Sequence, residues 1–228
     1  MIETNDPQTQ APAHYSTTRK LLCYALHLYT ASGVVFGLLI LLAILRRDYN
    51  MAYFWMVVAT VIDSSDGAFA RWLEVKKVVP HVSGGDIDNI VDYMNYTFFP
   101  LFLVAHAGLL PQPVWLWISF PLVASLFGFA NVNAKQSQKG FFLGFPSYWN
   151  FVAIYIHIAM TPISPYFSLA VLLTLSILTV SPVRFAYPSQ MPRFRKTFIW
   201  GAILWTVSFL AILVFYPPGS DPLRPQTP

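Results

Sequence analysis

The sequence predicts an all-α protein, a polytopic bundle of about seven membrane-spanning helices preceded by a short interfacial helix. Two observations lead to this fold class. The 228 residues are 56% hydrophobic and only 11% charged, with a mean hydropathy of +0.53, whereas a soluble domain has about 25% charged residues. The apolar residues also form long runs, and a membrane span needs about 20 of them. This composition excludes a soluble globular enzyme and a nucleic-acid-binding module, so no nucleic-acid partner is expected.

Seven apolar stretches have the length, or nearly the length, of a membrane span. They are 21–45, 51–71, 88–109, 114–133, 147–160, 166–180 and 197–216. Segment 14–22 combines basic and apolar residues, which predicts the interfacial helix. Residues 1–13 and 217–228 are polar and Pro-rich and are expected to be disordered tails, so 14–216 forms a single membrane domain. No secretory signal peptide is expected, because the start of the chain is not basic.

The distribution of basic residues predicts the orientation of these spans. A cytoplasmic N-terminus places eleven of the fourteen Lys and Arg residues on the cytoplasmic side, and only Arg46, Arg47 and Arg224 on the other. Cytoplasmic loops usually carry this excess of positive charge. The single cysteine, Cys23, excludes an internal disulfide and a cysteine-based metal cluster.

Acidic residues are concentrated in one short stretch of the chain. Six of the ten lie between positions 63 and 92, and four of those fall in apolar helical segments: Asp63, Asp66, Asp88 and Asp92. Residues three or four apart share one face of a helix, so the first two form one pair and the last two form another. A short loop joins the two helices, which predicts that the pairs face each other at their cytoplasmic ends.

An acidic cluster in a membrane helix needs a compensating interaction. An Asp at the centre of a span costs about 2.5–3.5 kcal/mol on insertion scales. Oxygen-only ligands suit Mg²⁺ or Mn²⁺, and two such ions held by shared carboxylates commonly serve phosphoryl chemistry. Two alternatives remain open from the residues alone. Asp86 and Asp88 could cap the third helix, and intramembrane acids also mark metal-ion or proton-coupled transporters.

One motif carries a family resemblance. The segment Asp63-Ser-Ser-Asp66-Gly67-Ala-Phe-Ala70-Arg71, followed by Gly84-x3-Asp88-x3-Asp92, resembles the signature of the CDP-alcohol phosphotransferase family. The gap of twelve residues between its two halves is similar to that of the bacterial phosphatidylcholine synthase branch. Segments 139–147 and 181–188 also resemble parts shared by phosphatidylserine and phosphatidylcholine synthases.

The resemblance implies an enzyme that transfers the phosphatidyl group of CDP-diacylglycerol to choline and releases CMP. It implies two divalent cations, Mn²⁺ or Mg²⁺, on the four aspartates Asp63, Asp66, Asp88 and Asp92. Asp92 would also act as general base on the choline hydroxyl, which attacks the β-phosphorus. The nucleotide would contact Asp66 and the small residues Gly67, Ala70 and Gly84. The same transfer to serine or inositol is the alternative reaction.

The remaining expected contacts are with phosphate, lipid and choline. Arg71, Lys139 and Arg184 are expected to contact phosphate or lipid, although basic cytoplasmic residues also contact anionic headgroups nonspecifically. A quaternary ammonium is held by aromatic faces and a nearby anion, so choline is expected at Glu74, Tyr148 and Tyr187. Interfacial aromatic belts are the alternative for any one aromatic residue. The resemblance further implies a homodimer in the bacterial inner membrane, in contact with membrane lipid.

Overall fold

A computed structural model describes residues 15–131, 134–136, 140–160, 163–186 and 195–215. Ten α-helices occur in these ranges. They are α1 (Thr17–Ala31), α2 (Gly33–Leu45), α3 (Tyr49–Leu73), α4 (Val75–Val78), α5 (Gly84–Asp92), α6 (Phe99–His106), α7 (Val114–Ala130), α8 (Trp149–Tyr155), α9 (Pro165–Val180) and α10 (Arg195–Phe215). Two π-helical turns, Tyr93–Phe98 and Ile156–Met160, continue α5 and α8. The predicted predominance of helix is confirmed, because each predicted span overlaps at least one helix.

The all-α prediction is wrong in one respect, because three short strands form an antiparallel sheet in the order β1-β2-β3. They are β1 (Lys135–Gln136), β2 (Phe141–Leu143) and β3 (Arg184–Ala186). Leu143 pairs with Arg184. Gly144, with φ of +83°, turns the chain after β2, and its N–H donates to the Val183 carbonyl at 2.8 Å. The sheet therefore joins the two segments that carried the family resemblance in the later part of the sequence.

The first helix corrects the prediction of a separate interfacial helix. Ser16 is the N-cap, since its Oγ accepts a hydrogen bond from the Arg19 N–H at 3.3 Å. From Thr17 the helix continues without interruption to Ala31, because the sequence has no helix breaker between the basic and apolar parts. A break comes later, at Ser32, whose hydroxyl donates to the Tyr29 carbonyl at 2.6 Å. Such local side-chain bonds compete with regular helix.

Helix caps decide between two interpretations of the acidic residues. Ser83 caps α5, because its Oγ accepts from the Asp86 N–H at 3.2 Å. The alternative that Asp86 or Asp88 caps this helix is therefore wrong. Asp48 does cap α3, with its carboxylate accepting from the Met51 N–H at 3.1 Å.

Within the part of the chain that the structure describes, one helical stretch, counted across the break at Ser32, is long and apolar enough to cross a membrane. It runs from Thr17 to Leu45 and so includes both α1 and α2. The other apolar helices are shorter, at 10–17 residues.

Packing brings three parts of the chain together at one end of α3. Helix α2 packs along α3, and α1 packs against both α3 and α5. Cys23 on α1 is buried against Val75, Val78 and Val79, which fixes α4 beneath the first helix. The break between α1 and α2, the second half of α3 and the start of α5 therefore surround a common space.

Candidate functional site

A pocket lies where α1, α2, α3 and α5 converge, and all four predicted aspartates line it. Asp63 and Asp66 come from α3, and Asp88 and Asp92 from α5. Asp63, Asp88 and Asp92 each offer a carboxylate oxygen, and these oxygens all lie within 4.8 Å of one another. The helical spacing in the sequence therefore brings the two acidic pairs to one place, as predicted.

Asp66 has a different local environment from the other three. It is buried and lies beside the side chain of Thr30 and the backbone of Gly67. Thr30 also lines the pocket, from the end of α1. Asp66 is thus held at the side of the pocket that faces the first helix.

The residues after Asp92 extend the site in a way that sequence reasoning missed. Asn95 and Tyr96 are buried and line the same pocket. The Tyr96 hydroxyl donates to Asp63 Oδ2 at 2.8 Å, and the Asn95 amide donates to the Gly33 carbonyl at 2.9 Å. Their positions, three and four residues after Asp92, are the spacing that places side chains on one helix face. This spacing is the feature of the sequence from which both residues could have been predicted to line the site.

The donor set fits divalent cations of the hard type. Three carboxylate oxygens from Asp63, Asp88 and Asp92 converge, and oxygen ligands are the ones that Mg²⁺ and Mn²⁺ prefer. Three like charges at this separation also repel one another, and a bound cation removes that repulsion. The two-cation occupancy expected from the sequence stays a prediction.

The small residues of the motif have different surroundings. A Cβ atom built on Gly84 would lie 2.8 Å from Cε1 of the buried His27 ring, so this glycine is required for the contact between α5 and α1. A Cβ on Gly67 would come no closer than 3.4 Å to a neighbouring atom, which is Nη1 of Arg71. Ala70 packs against the cluster around Cys23. Gly67 alone of the two glycines therefore has space that a ligand can use.

The basic candidates lie near the surface of the described structure. Arg71 is exposed in the last turn of α3, with its guanidinium beside Gly67. Arg184 is exposed on β3 and its guanidinium lies 4.9 Å from the centroid of the Phe141 ring. Lys139, the third candidate, is outside the described residues.

The choline candidates are not gathered in the pocket. Glu74 forms ion pairs with Lys77 at 2.6 Å and Arg19 at 2.8 Å. The hydrogen bond from Lys77 is the main reason that the pKa of the Glu74 carboxyl falls below its ordinary value. Tyr148 is half-buried and packs edge-on against Phe151, while Tyr187 is outside the described residues. The contacts of Tyr148 and Tyr187 with choline stay predictions, whereas the two ion pairs of Glu74 argue against a further contact of this residue with choline.

Fold and site together define a helical protein built around a carboxylate centre at converging helix ends. Proteins named phosphatidylcholine synthase are similar to this chain over most of its length. That of Pseudomonas aeruginosa is 34% identical over 93% of this chain and 89% of its own. That of Legionella bozemanae is 35% identical over 79% of this chain and 86% of its own. The protein belongs to the phosphatidylcholine synthase family.

A third relative is similar over a comparable share of the chain. The phosphatidylcholine synthase of Borreliella burgdorferi is 31% identical over 86% of this chain and 80% of its own. A comparison with models of known protein families gives no match.

Proposed function

We propose that this protein is a phosphatidylcholine synthase, an enzyme of phospholipid biosynthesis. It transfers the phosphatidyl group of CDP-diacylglycerol to choline and releases CMP. The observation that carries the proposal is the cluster of Asp63, Asp88 and Asp92, with oxygens within 4.8 Å of one another, in a chain of this family. The signature that these aspartates share with the CDP-alcohol phosphotransferases supports the same reaction.

Asp63, Asp88 and Asp92 would hold the divalent cations, Mn²⁺ or Mg²⁺, with Asp66 at the side of the same pocket. Two such ions, when bound, neutralise charge on the diphosphate and on the departing phosphate. The protein's part is to hold these oxygens together on two helices, so that little reorganisation is needed when the substrate arrives.

Asp92 is proposed as the general base. Its carboxylate takes the proton from the choline hydroxyl, and the resulting oxygen forms a bond to the β-phosphorus of CDP-diacylglycerol. The bond from that phosphorus to the bridging oxygen breaks at the same centre, and the oxygen leaves with CMP. Asp92 is 8% exposed, and a base within about 2.6–3.2 Å of the hydroxyl meets the geometric requirement for such a transfer.

The nucleotide is proposed to lie over Gly67, with Asp66 beside it, while the small residues Ala70 and Gly84 let the helices around this position pack closely. Gly67 contributes most of the room, since only open space and the flexible Arg71 side chain are near it. Arg71 is proposed to contact phosphate, as are Lys139 and Arg184. Choline is proposed to bind against aromatic faces, for which Tyr148 and Tyr187 are the candidates.

The protein is further proposed to be a polytopic helical bundle of the bacterial inner membrane. Large apolar side chains are exposed on several helices: Leu28 is 72% exposed, Trp115 69% and Trp200 70%. Surfaces of this kind need a covering, and lipid is the covering that suits helices. The excess of basic residues on one side supports a cytoplasmic N-terminus and active site. A homodimer is proposed from the family resemblance.

The test is a reconstituted reaction. Purified protein in mixed micelles is given CDP-diacylglycerol, labelled choline and Mn²⁺, and CMP and labelled lipid are measured. We expect both products in equal amounts and none when EDTA is added. Product from serine or inositol but not from choline would overturn the choice of acceptor. Cation or proton flux in proteoliposomes, without lipid product from any alcohol, would overturn the enzyme and favour a transporter.

A further inference from the structure

The helix that carries Asp88 and Asp92 changes its form directly after Asp92. Residues Tyr93–Phe98 make a π-helical turn, and single π-helical turns are rare and frequently occur at functional sites. Two residues of this turn, Asn95 and Tyr96, line the pocket that holds the carboxylates. The family motif ends at Asp92, so it assigns no role to either residue.

Tyr96 is placed to fix the direction of one carboxylate. Its side chain is buried, with 7% exposure, and its hydroxyl donates to Asp63 Oδ2 at 2.8 Å. This hydrogen bond links the π-helical turn to α3, the helix that carries Asp63.

We propose that Tyr96 is a positioning residue that holds Asp63 in the orientation needed to bind a divalent cation with Asp88 and Asp92. This inference rests on the proposed function only in that the carboxylates are taken to bind such an ion. Three carboxylates within 4.8 Å repel, and an unrestrained Asp63 would lower that repulsion by turning away. A neutral donor on Oδ2 opposes this rotation and adds no positive charge to compete with the ion. Removal of partners that orient metal ligands typically costs 10–100-fold in metal affinity or activity.

The chain offers a matched control within the same turn. Tyr93 also carries a hydroxyl with one hydrogen bond to protein, in which it donates to the Leu122 carbonyl at 3.1 Å. Tyr93 does not line the carboxylate pocket. Phenylalanine at either position keeps the ring and removes one hydroxyl, so the two variants differ mainly in which partner loses its donor.

The experiment measures Mn²⁺ binding by electron paramagnetic resonance on purified protein in micelles, without substrates. We expect Tyr96→Phe to raise the Kd for Mn²⁺ by about 10–100-fold, and Tyr93→Phe to leave it within twofold of the unmodified protein. With saturating Mn²⁺, the KM for choline of Tyr96→Phe should change less than twofold. Equal Mn²⁺ affinity in Tyr96→Phe and the unmodified protein would overturn the proposal.

A double-mutant cycle separates positioning from a general loss of structure. In an Asp63→Asn background, the hydroxyl of Tyr96 no longer acts on a charged ligand, so Tyr96→Phe should reduce Mn²⁺ affinity by less than twofold. A further tenfold loss in that background would mean that Tyr96 only supports the fold, and would overturn the proposal. If Tyr96→Phe does not fold, Tyr96→Met fills the space with a flexible apolar side chain and also lacks the hydroxyl, and an unchanged Kd there would overturn the proposal.

Failure of the proposed function has a different signature. Protein that binds Mn²⁺ with the expected dependence on Tyr96, but makes no lipid from CDP-diacylglycerol and any alcohol, would refute the enzymatic assignment and leave the role of Tyr96 supported. Unmodified protein that binds no Mn²⁺ would overturn the role of Tyr96.

Discussion

Asp63, Asp88 and Asp92 lie so close together that their charges dominate the chemistry of the pocket. At 4.8 Å and an effective dielectric constant near 20, each pair of unit charges repels by roughly 3 kcal/mol. A folded chain maintains this arrangement only if something favourable offsets the repulsion. Divalent cations offset it directly, which is why the arrangement is better explained by function than by stability.

The amide variants of Asp92 and Asp66 should differ in whether turnover or binding is lost. Asp92→Asn removes the proposed base, so we expect kcat to fall by about 10²–10⁴-fold, with the Kd for CDP-diacylglycerol changed less than tenfold. Asp66→Asn alters the residue that lies beside Thr30, on the side of the pocket proposed for the nucleotide, so it should weaken Mn²⁺ and donor binding together. Turnover assays and calorimetric titrations measure the two effects. Mild and equal losses in both variants would contradict the assigned roles.

The two glycines of the motif give a sharper test of where the nucleotide binds. In Gly67→Ala the new methyl group meets only Arg71, at 3.4 Å, so Tm should change by less than about 2 °C. Activity should nevertheless fall at least tenfold, because the methyl group occupies space proposed for the nucleotide. In Gly84→Ala the methyl group would lie 2.8 Å from the His27 ring, so a fall in Tm of several degrees is expected.

Thermal unfolding and turnover are compared for both alanine variants. Full activity in Gly67→Ala would show that the nucleotide does not bind at this position. A Tm of Gly84→Ala equal to that of the unmodified protein would show that the His27 contact contributes little to stability.

At the level of elements, the sequence was most informative where one physical effect dominates. Hydropathy placed a helix in every predicted span, and helical spacing placed the four aspartates around one pocket. The break at Ser32 and the two π-helical turns were not predicted, because single hydrogen bonds and local packing set them without changing the apolar pattern. The three strands were missed because each is only two or three residues long.

Three elements meet at Glu74, the residue that joins α3 and α4. Its Oε2 accepts from Arg19 on α1 and its Oε1 accepts from Lys77 on α4, so both oxygens already have cationic partners. We therefore expect Glu74→Gln to leave the KM for choline within twofold. These pairs are solvent-exposed, and exposed pairs contribute little to stability. Tm should fall by no more than about 2 °C.

The pH dependence of this contact follows from the direction of the shift. The pKa of Glu74 is lowered in the folded protein, so its ion pairs stabilise the fold above the ordinary range of a glutamate and lose that effect as the pH falls through the lowered value. The Tm difference between the unmodified protein and Glu74→Gln should thus disappear in acid or at high salt. A large rise in the KM for choline in Glu74→Gln would instead support a contact between Glu74 and choline.

The distribution of charge over the whole molecule connects the fold to its surroundings. Only 11% of the residues are charged. The cluster of acids lies towards the end of α3 that carries Arg71, and Lys76 and Lys77 follow on α4. The opposite end of α3 begins at Asp48, next to Arg46 and Arg47. The proposed reaction joins a lipid substrate to a water-soluble alcohol, so we expect the end of α3 with the acidic cluster to lie at a membrane surface.

The orientation proposed for that end can be measured with single cysteines, because the natural Cys23 is buried. Lys76 and Arg46 are both exposed and lie near opposite ends of α3. In a Cys23→Ala background, a membrane-impermeant maleimide should label Arg46→Cys in intact spheroplasts and Lys76→Cys only after permeabilisation. The reason is that the basic residues retained on the cytoplasmic side include those next to the acidic cluster. Labelling of Lys76→Cys in intact spheroplasts would reverse the orientation, and labelling of both positions there would contradict a membrane-spanning α3.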